Sequence, residues 1–242
     1  MLILVLALIT LLCWAWIVLM ARDMYGSMLG PAAWMMTPVW DGPHLVLLWA
    51  MWAVMMAAMM LPSASPILLV YAGAVRNRTY EPRATLQVYA LAAGYLTVWA
   101  TFSIGATVLQ RIFAALLLLT PMMEPATPVA GAFVLLVAGG YQMTPLKRVC
   151  LRACRSPLSF LTRHWRPGRA GAFRMGVEHG IHCLGCCWAL MLLLFAGGVM
   201  NLLVIAALTV WVIVEKLAPF GEQGARMSGA LLIATAGWML IR

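Results

Sequence analysis

The chain has 242 residues, of which 64% are hydrophobic and 10% are charged, and its net charge is +9. Soluble domains usually carry about 25% charged residues, so this composition excludes an ordinary soluble enzyme or binding domain. It predicts a single integral membrane domain over 1–242, with an all-α, polytopic helix bundle. The positive charge lies mainly between the apolar runs, and this distribution argues against nucleic acid as a partner.

The apolar runs predict about seven transmembrane helices. Most runs are close to the ~20 residues that a helix needs to cross the hydrocarbon core, while the sixth and seventh are short. The predicted helices cover 1–20, 44–73, 86–112, 126–143, 175–197, 202–217 and 226–241.

Three basic segments predict the topology. Of 16 Lys and Arg residues, 13 lie in or beside 74–85, 144–174 and 217–226. Loops rich in Lys and Arg stay on the cytoplasmic side. We therefore expect a multi-pass protein of the bacterial cytoplasmic (inner) membrane with its N-terminus inside. Anionic lipid headgroups are the expected partner of these segments.

Two polar residues, Asp41 and His44, precede the second predicted helix on its outer side. They can form an outer site from which a metal ion is passed inward, with soft groups nearby at Met28, Met35 and Met36. A helix N-cap explains Asp41 equally well.

The second predicted helix is rich in methionine. Met51, Met55 and Met59 recur at every fourth residue and form one stripe, and Met56 and Met60 form a second, offset stripe. A thioether is a soft, neutral ligand that suits Cu(I) and suits Zn(II) poorly. Methionine is also a flexible filler of apolar cores, and that interpretation stays open here.

The segment 144–174 is predicted to be a basic cytoplasmic loop, with a short surface helix over 146–155 that Pro157 would end. Cys150 and Cys154 are four residues apart in that helix. They can take a metal ion at the cytoplasmic exit or hand one to a partner. The alternative is that they are two ordinary surface thiols.

The segment 176–188 places two histidines, three cysteines and a glutamate in a predicted membrane helix. Groups of this kind seldom lie in hydrocarbon without a function. At about 100° per residue, His179, His182, Cys183 and Cys186 fall within roughly 100° of arc. Cys187 lies at the edge of that face, and Glu178 points away. His and Cys together make a soft-to-borderline metal site, suited to copper, zinc or iron.

Two other interpretations of this helix stay open. The pair Cys183 and Cys186 has the spacing of a thiol redox site that exchanges with a quinone or a disulfide. Alternatively, the side chains pack with their hydrogen bonds satisfied. A haem site is less well supported, because it needs axial ligands on facing helices. Outside this helix only His44 and His164 are present.

Gly176 and Gly180 predict a close helix contact beside this polar cluster. Small residues four apart let another helix approach closely.

On the sixth helix, Glu215 and Lys216 are expected to lie at the inner end and to pair with the inner loop. Snorkelling to the interface accounts for the lysine.

Several stretches resemble a bacterial family described as predicted metal-binding integral membrane proteins. They include the HxxHCxGCCW motif within 179–191 and the Met-rich helix, and they cover about 45–220: 49–62, 141–157, 179–191, 198–201 and 215–216. The resemblance implies a multi-helix inner-membrane protein that binds metal, without supplying an activity. By the family pattern, the positions that matter are His179, Cys183, Cys186, Cys187 and the methionines around 55–60.

Together these features predict a membrane-embedded protein that binds a soft metal ion, most simply Cu(I), in copper transport or delivery. Zinc, iron and haem fit less well. The candidate ligands are Met55, Met59, His179, His182, Cys183, Cys186 and Cys187. The candidate transfer sites are Met51, Met56, Met60, His44, Asp41, Cys150 and Cys154.

Two alternative functions and the partners follow from the same features. One alternative is a membrane thiol or quinone oxidoreductase, and the other is a structural subunit of a larger metal-containing membrane complex. The expected partners are a metallochaperone or other membrane subunits. The sequence contains no phosphate-binding loop of the Walker type, so ATP is not expected to be used by this chain.

Overall fold

A computed structural model of the chain describes residues 2–26, 41–76, 81–120 and 122–241. Over these residues it contains nine α-helices and no named strand. The helices are α1 (Leu2–Tyr25), α2 (Gly42–Arg76), α3 (Glu81–Ala115), α4 (Pro128–Gln142), α5 (Pro145–Arg155), α6 (Pro157–His164), α7 (Gly168–Gly197), α8 (Leu202–Leu217) and α9 (Gly221–Ile241). The predicted all-helical fold is confirmed.

The predicted loop over 144–174 is largely helical. The short helix predicted over 146–155 is present as α5, but the rest of the segment, which was expected to be a loop, contains α6 and the first turns of α7. Pro145 and Pro157 each stand in the first turn of a helix, where a proline costs no hydrogen bond. Thr144 caps α5 by accepting a hydrogen bond from the Lys147 N–H. Pro157 therefore ends one helix and begins the next.

One end of the bundle collects the basic segments, and we call it the basic end. The Trp165 ring, just after α6, packs on Tyr71 near the end of α2, with ring centroids 5.5 Å apart. Arg152 of α5 forms an ion pair of 2.7 Å with Glu222 at the start of α9. At the opposite end, the Val199 N–H donates to the Met123 carbonyl at 3.2 Å.

The glycines of α7 lie against α3, as their spacing predicts. A Cβ atom at Gly176 would collide with the Leu91 carbonyl, and one at Gly180 would lie 2.9 Å from a methyl group of Val98. Gly94 of α3 faces the backbone of Phe173 in the same way. The two helices run parallel. They approach closely because these three glycines place no side chain between them.

Five of the described helices are long and apolar enough to cross a membrane: α1, α2, α3, α7 and α9. α4 and α5 pass the same test only together, and they are bent by 66°. α8 has 16 residues, which is short for a span. The predicted count of seven transmembrane helices therefore stays a prediction.

Candidate metal centre

One face of α7 carries four chemically reactive side chains into the core. Cys183 is fully buried, Cys186 and Cys187 are almost so, and His179 is 4% exposed. Their spacing of four, seven and eight residues keeps them on one side of the helix. His182 lies at the edge of this face. Its ring contacts Phe160, and its Nδ1 lies 2.7 Å from the Glu178 carbonyl.

A fourth cysteine, from α5, joins the three thiols of α7. Cys154 Sγ lies 3.8 Å from Cys186 Sγ, which in turn lies 3.3 Å from Cys187 Sγ. Cys183 interacts with the other three thiols. We call Cys154, Cys183, Cys186 and Cys187 the thiol cluster. All four are free thiols.

The two cysteines of α5 have different surroundings, although the sequence suggests one shared exit site. Cys154 belongs to the thiol cluster. Cys150, one turn earlier, packs on the backbone of α7 at Gly185, where an added Cβ would lie 2.6 Å from its sulfur. The Tyr141 hydroxyl donates to the carbonyl of the same glycine. Neither thiol is an ordinary surface group, since α5 packs directly on α7.

A buried lysine touches the thiol cluster. Lys216 is 5% exposed, and its Nζ lies 3.0 Å from Cys183 Sγ and 2.8 Å from the Ser63 hydroxyl. The expected snorkelling of this lysine to the interface is therefore wrong. One signal in the sequence could have revealed this burial. A single buried face of α8 has the helical spacing of Ile205, Thr209, Val212 and Lys216.

The contact with α3 adds a phenol to the cluster. The Tyr95 hydroxyl lies 3.1 Å from Cys183 Sγ and donates to the Met60 carbonyl at 3.2 Å. Tyr95 reaches this position because Gly176 and Gly180 bring α3 close to α7. Tyr95 was not among the residues that the sequence predicted for the site.

The neighbour of Lys216, Glu215, anchors the helices around the cluster. Its carboxylate accepts hydrogen bonds from Lys147 Nζ at 2.6 Å, Gln142 Nε2 at 2.8 Å and Trp211 Nε1 at 2.8 Å. The predicted pairing of the segment 215–216 with the inner segment 144–174 is thus present through Lys147. A buried carboxylate is tolerated when its oxygens are satisfied in this way.

The five methionines of α2 lie in the same buried core as the thiols. Met51, Met55, Met56, Met59 and Met60 have no exposed surface. Trp52 contacts Phe195 of α7, with ring centroids 5.2 Å apart, and Ser63 reaches Cys183 through Lys216. The stripe therefore runs alongside the half of α7 that lies away from the basic end.

Methionines from other parts of the chain enlarge this core. The tertiary structure adds five buried methionines that the sequence did not predict as part of the site. They come from α1, from α7 and from two connecting segments: Met20, Met24, Met123, Met191 and Met200. Soft thioethers therefore fill much of the interior between the thiol cluster and the opposite end of the bundle.

Asp41 and His44 lie far from the thiol cluster, at the start of α2. The His44 backbone N–H donates to the Asp41 carboxylate at 3.1 Å, and the imidazole also contacts that carboxylate. Desolvation opposes ionisation of Asp41, but the hydrogen bonds from His44 outweigh it and hold its pKa below the ordinary value. Asp41 therefore caps the helix, as one of the two interpretations predicts. Met28, Met35 and Met36 lie outside the described residues.

The donor chemistry of the core fits a soft metal ion. Four thiols and several thioethers are the ligands that Cu(I) prefers. His179 adds a buried Nδ1 that has no hydrogen-bond partner, beside the rings of Tyr95 and Phe160. Within the described part of the chain, no group of three or more His, Cys, Asp or Glu side chains is arranged to hold a metal ion.

The fold and this site define an all-helical protein with a core of soft sulfur ligands. A family model described as PpoB2, copper chaperone, matches residues 49–239. The chain belongs to this copper chaperone family. The matched range includes the methionine stripe, the thiol cluster and Lys216, and it begins after Asp41 and His44. No curated protein and no solved structure matches the chain.

Proposed function

We propose that this chain is an integral protein of the bacterial cytoplasmic membrane that binds Cu(I) in the thiol cluster and passes it on. The observation that carries the proposal is the convergence of Cys154, Cys183 and Cys186 from two helices in the core. Membership of a copper chaperone family supports the choice of copper.

The chemistry of the cluster suits transfer as well as binding. A cysteine thiol binds Cu(I) as the thiolate, after losing its proton. Neighbouring sulfurs a few ångströms apart let one ligand replace another. The thioethers of α2 bind without deprotonation, so they suit a weaker step on the path. The path of copper would then connect three stations: the site of Asp41 and His44, the methionines of α2 and the thiols. Cys150 lies beside the basic end of this path.

The apolar surface supports the membrane location. α1 exposes large apolar side chains along most of its length, among them Leu4, Leu8, Leu11 and Leu19. An apolar surface of this extent needs a covering, and lipid provides one. The Arg and Lys residues at the basic end would face the cytoplasm and its anionic headgroups.

Metal analysis of the purified, full-length protein tests the proposal. The wild-type protein should retain copper that a strong Cu(I) chelator removes, and Cys183→Ser and His179→Ala should each lower the bound copper. Cys13→Ser is the matched control, because Cys13 lies on α1 outside the thiol cluster. Copper content equal to wild type in both cluster variants would overturn the proposal.

One observation favours a second candidate, the thiol oxidoreductase. The 3.8 Å between Cys154 and Cys186 is a short movement away from a disulfide, whose formation would pass two electrons and two protons to a quinone. In that case Cys154→Ser would abolish quinone reduction, while His179→Ala would leave most of it. Cross-linked peptides measured after quinone treatment would distinguish this function from copper transfer.

A further inference from the structure

The positive charge of Lys216 has a thiol as its close partner rather than a carboxylate. Its Nζ contacts Cys183 and Ser63. The adjacent carboxylate of Glu215 is already bound to Lys147, Gln142 and Trp211. A buried ammonium group is costly in a core unless an anion lies beside it, and the deprotonation of Cys183 that metal binding requires would place a thiolate there.

We propose that Lys216 makes the thiol cluster selective for a monovalent soft cation, Cu(I) or Ag(I), over the divalent Zn(II). This inference rests on the proposed function, because it concerns the ion that the cluster accepts. Lys216 is not a ligand here. It is a fixed charge that lies 3.0 Å from one of the ligands.

The physical reason is the dependence of repulsion on ionic charge. With the ligands unchanged, the repulsion between the ammonium group and the bound ion is twice as large for Zn(II) as for Cu(I). Two thiolates, one monovalent ion and one ammonium group also sum to zero net charge. A divalent ion in the same site leaves a net positive charge in a core where uncompensated charge is costly.

The surroundings of Lys216 strengthen this effect. Its Nζ lies 3.0 Å from Cys183 Sγ, and Cys186 and Cys187 lie one turn further along the same buried side of α7. Lys216 therefore acts on an ion that is held at Cys183 and shared with these neighbours. The side chain is held in place by the Ser63 hydroxyl and by its burial, so it cannot withdraw into water when an ion arrives.

Competition measurements on the full-length protein in detergent test the inference. Affinities for Cu(I), Ag(I) and Zn(II) are measured against chelators of known affinity. Lys216→Met should lower the ratio of Cu(I) affinity to Zn(II) affinity by about tenfold or more, the scale of one unit-charge interaction at this range. Ag(I) should follow Cu(I), since it carries the same charge.

Two further variants serve as controls. Lys216→Arg keeps the charge and should keep the ratio within about threefold of wild type, a change of under 1 kcal/mol. Ser63→Ala removes a hydrogen bond to Lys216 and leaves the charge, so it should also keep the ratio. Ser63→Asp neutralises the lysine without removing it and should lower the ratio, which keeps the test valid if Lys216→Met does not fold.

The outcomes separate this inference from the proposed function. Wild-type protein that binds no Cu(I) would overturn both. Wild-type protein that binds Cu(I), together with folded Lys216→Met and Ser63→Asp variants that keep the wild-type ratio, would overturn the role of Lys216 alone. A ratio lowered by Ser63→Ala as much as by Lys216→Met would assign the effect to the hydrogen bond and overturn the charge argument.

Discussion

Lys147 of α5 and Glu215 of α8 form a fully buried ion pair of 2.6 Å. The pair joins α5, which supplies Cys154 to the thiol cluster, to α8, which supplies the Lys216 that contacts the cluster. Cys154 follows Lys147 by two turns on α5, and Lys216 is the residue after Glu215. The position of the ion pair therefore determines whether Cys154 and Lys216 reach Cys183 and Cys186.

The first prediction concerns this ion pair. Glu215→Gln should destabilise the protein by about 3–5 kcal/mol, because Lys147 would be left as an unpaired buried charge. The midpoint of thermal unfolding in detergent measures the effect. Glu222→Gln, which breaks the exposed pair with Arg152, is the matched control and should change the midpoint little. Equal effects from both variants would contradict the prediction.

The second prediction separates the two cysteines of α5. Cys154→Ser should weaken Cu(I) binding by about tenfold or more (~1.4 kcal/mol), because it removes a sulfur from the thiol cluster. Cys150→Ser should leave the affinity near wild type, since its sulfur packs on Gly185. Chelator competition measures both. If Cys150→Ser weakened binding more than Cys154→Ser, the exit-site interpretation would replace the cluster.

The third prediction concerns the methionine stripe. Met55→Leu with Met59→Leu nearly conserves volume, so packing should cost less than about 1.5 kcal/mol per site. Cu(I) affinity should fall more than Zn(II) affinity, because a thioether favours the softer ion. Met227→Leu, on the exposed surface of α9, is the control. A folded double variant with unchanged Cu(I) affinity would leave these methionines as core filler.

The fourth prediction concerns the contact between α3 and α7. Gly176→Ala should destabilise the fold by about 1–3 kcal/mol, because the new methyl group would meet the Leu91 carbonyl. Gly105→Ala in α3 has open space around it and should be neutral or slightly stabilising, since alanine favours helix. Thermal unfolding compares the two. A neutral Gly176→Ala would show that the helices can separate at no cost.

The fifth prediction concerns topology. Cysteines introduced at Leu158 and Phe220, which are exposed at the basic end, should resist an impermeant thiol reagent applied to intact cells. A cysteine at Leu117, exposed at the opposite end, should react. The wild-type protein, with its six native cysteines, supplies the background. Labelling of the first two positions from outside would reverse the predicted orientation.

The fold was predictable where one helix determines its own pattern. Each of the seven predicted apolar runs falls on one helix of the structure, because the need to bury an apolar face acts on each helix separately. The polar face of α7 and the small-residue contact at Gly176 were predictable for the same reason. The short helix α5 was predicted over 146–155, but α6 was not, since a basic composition and Pro157 indicate a loop as readily as a helix start.

By itself, the sequence determined the all-helical class, the methionine stripe of α2 and the reactive face of α7, because each depends on spacing within one helix. The tertiary structure alone decided which thiols, charge and phenol surround Cys183. Cys154 meets Cys186 across 32 positions, Lys216 meets Cys183 across 33, and Tyr95 meets Cys183 across 88. Helical periodicity tells which residues share a face, but the bend after α4 and the docking of α3, α5 and α8 on α7 decide which faces meet.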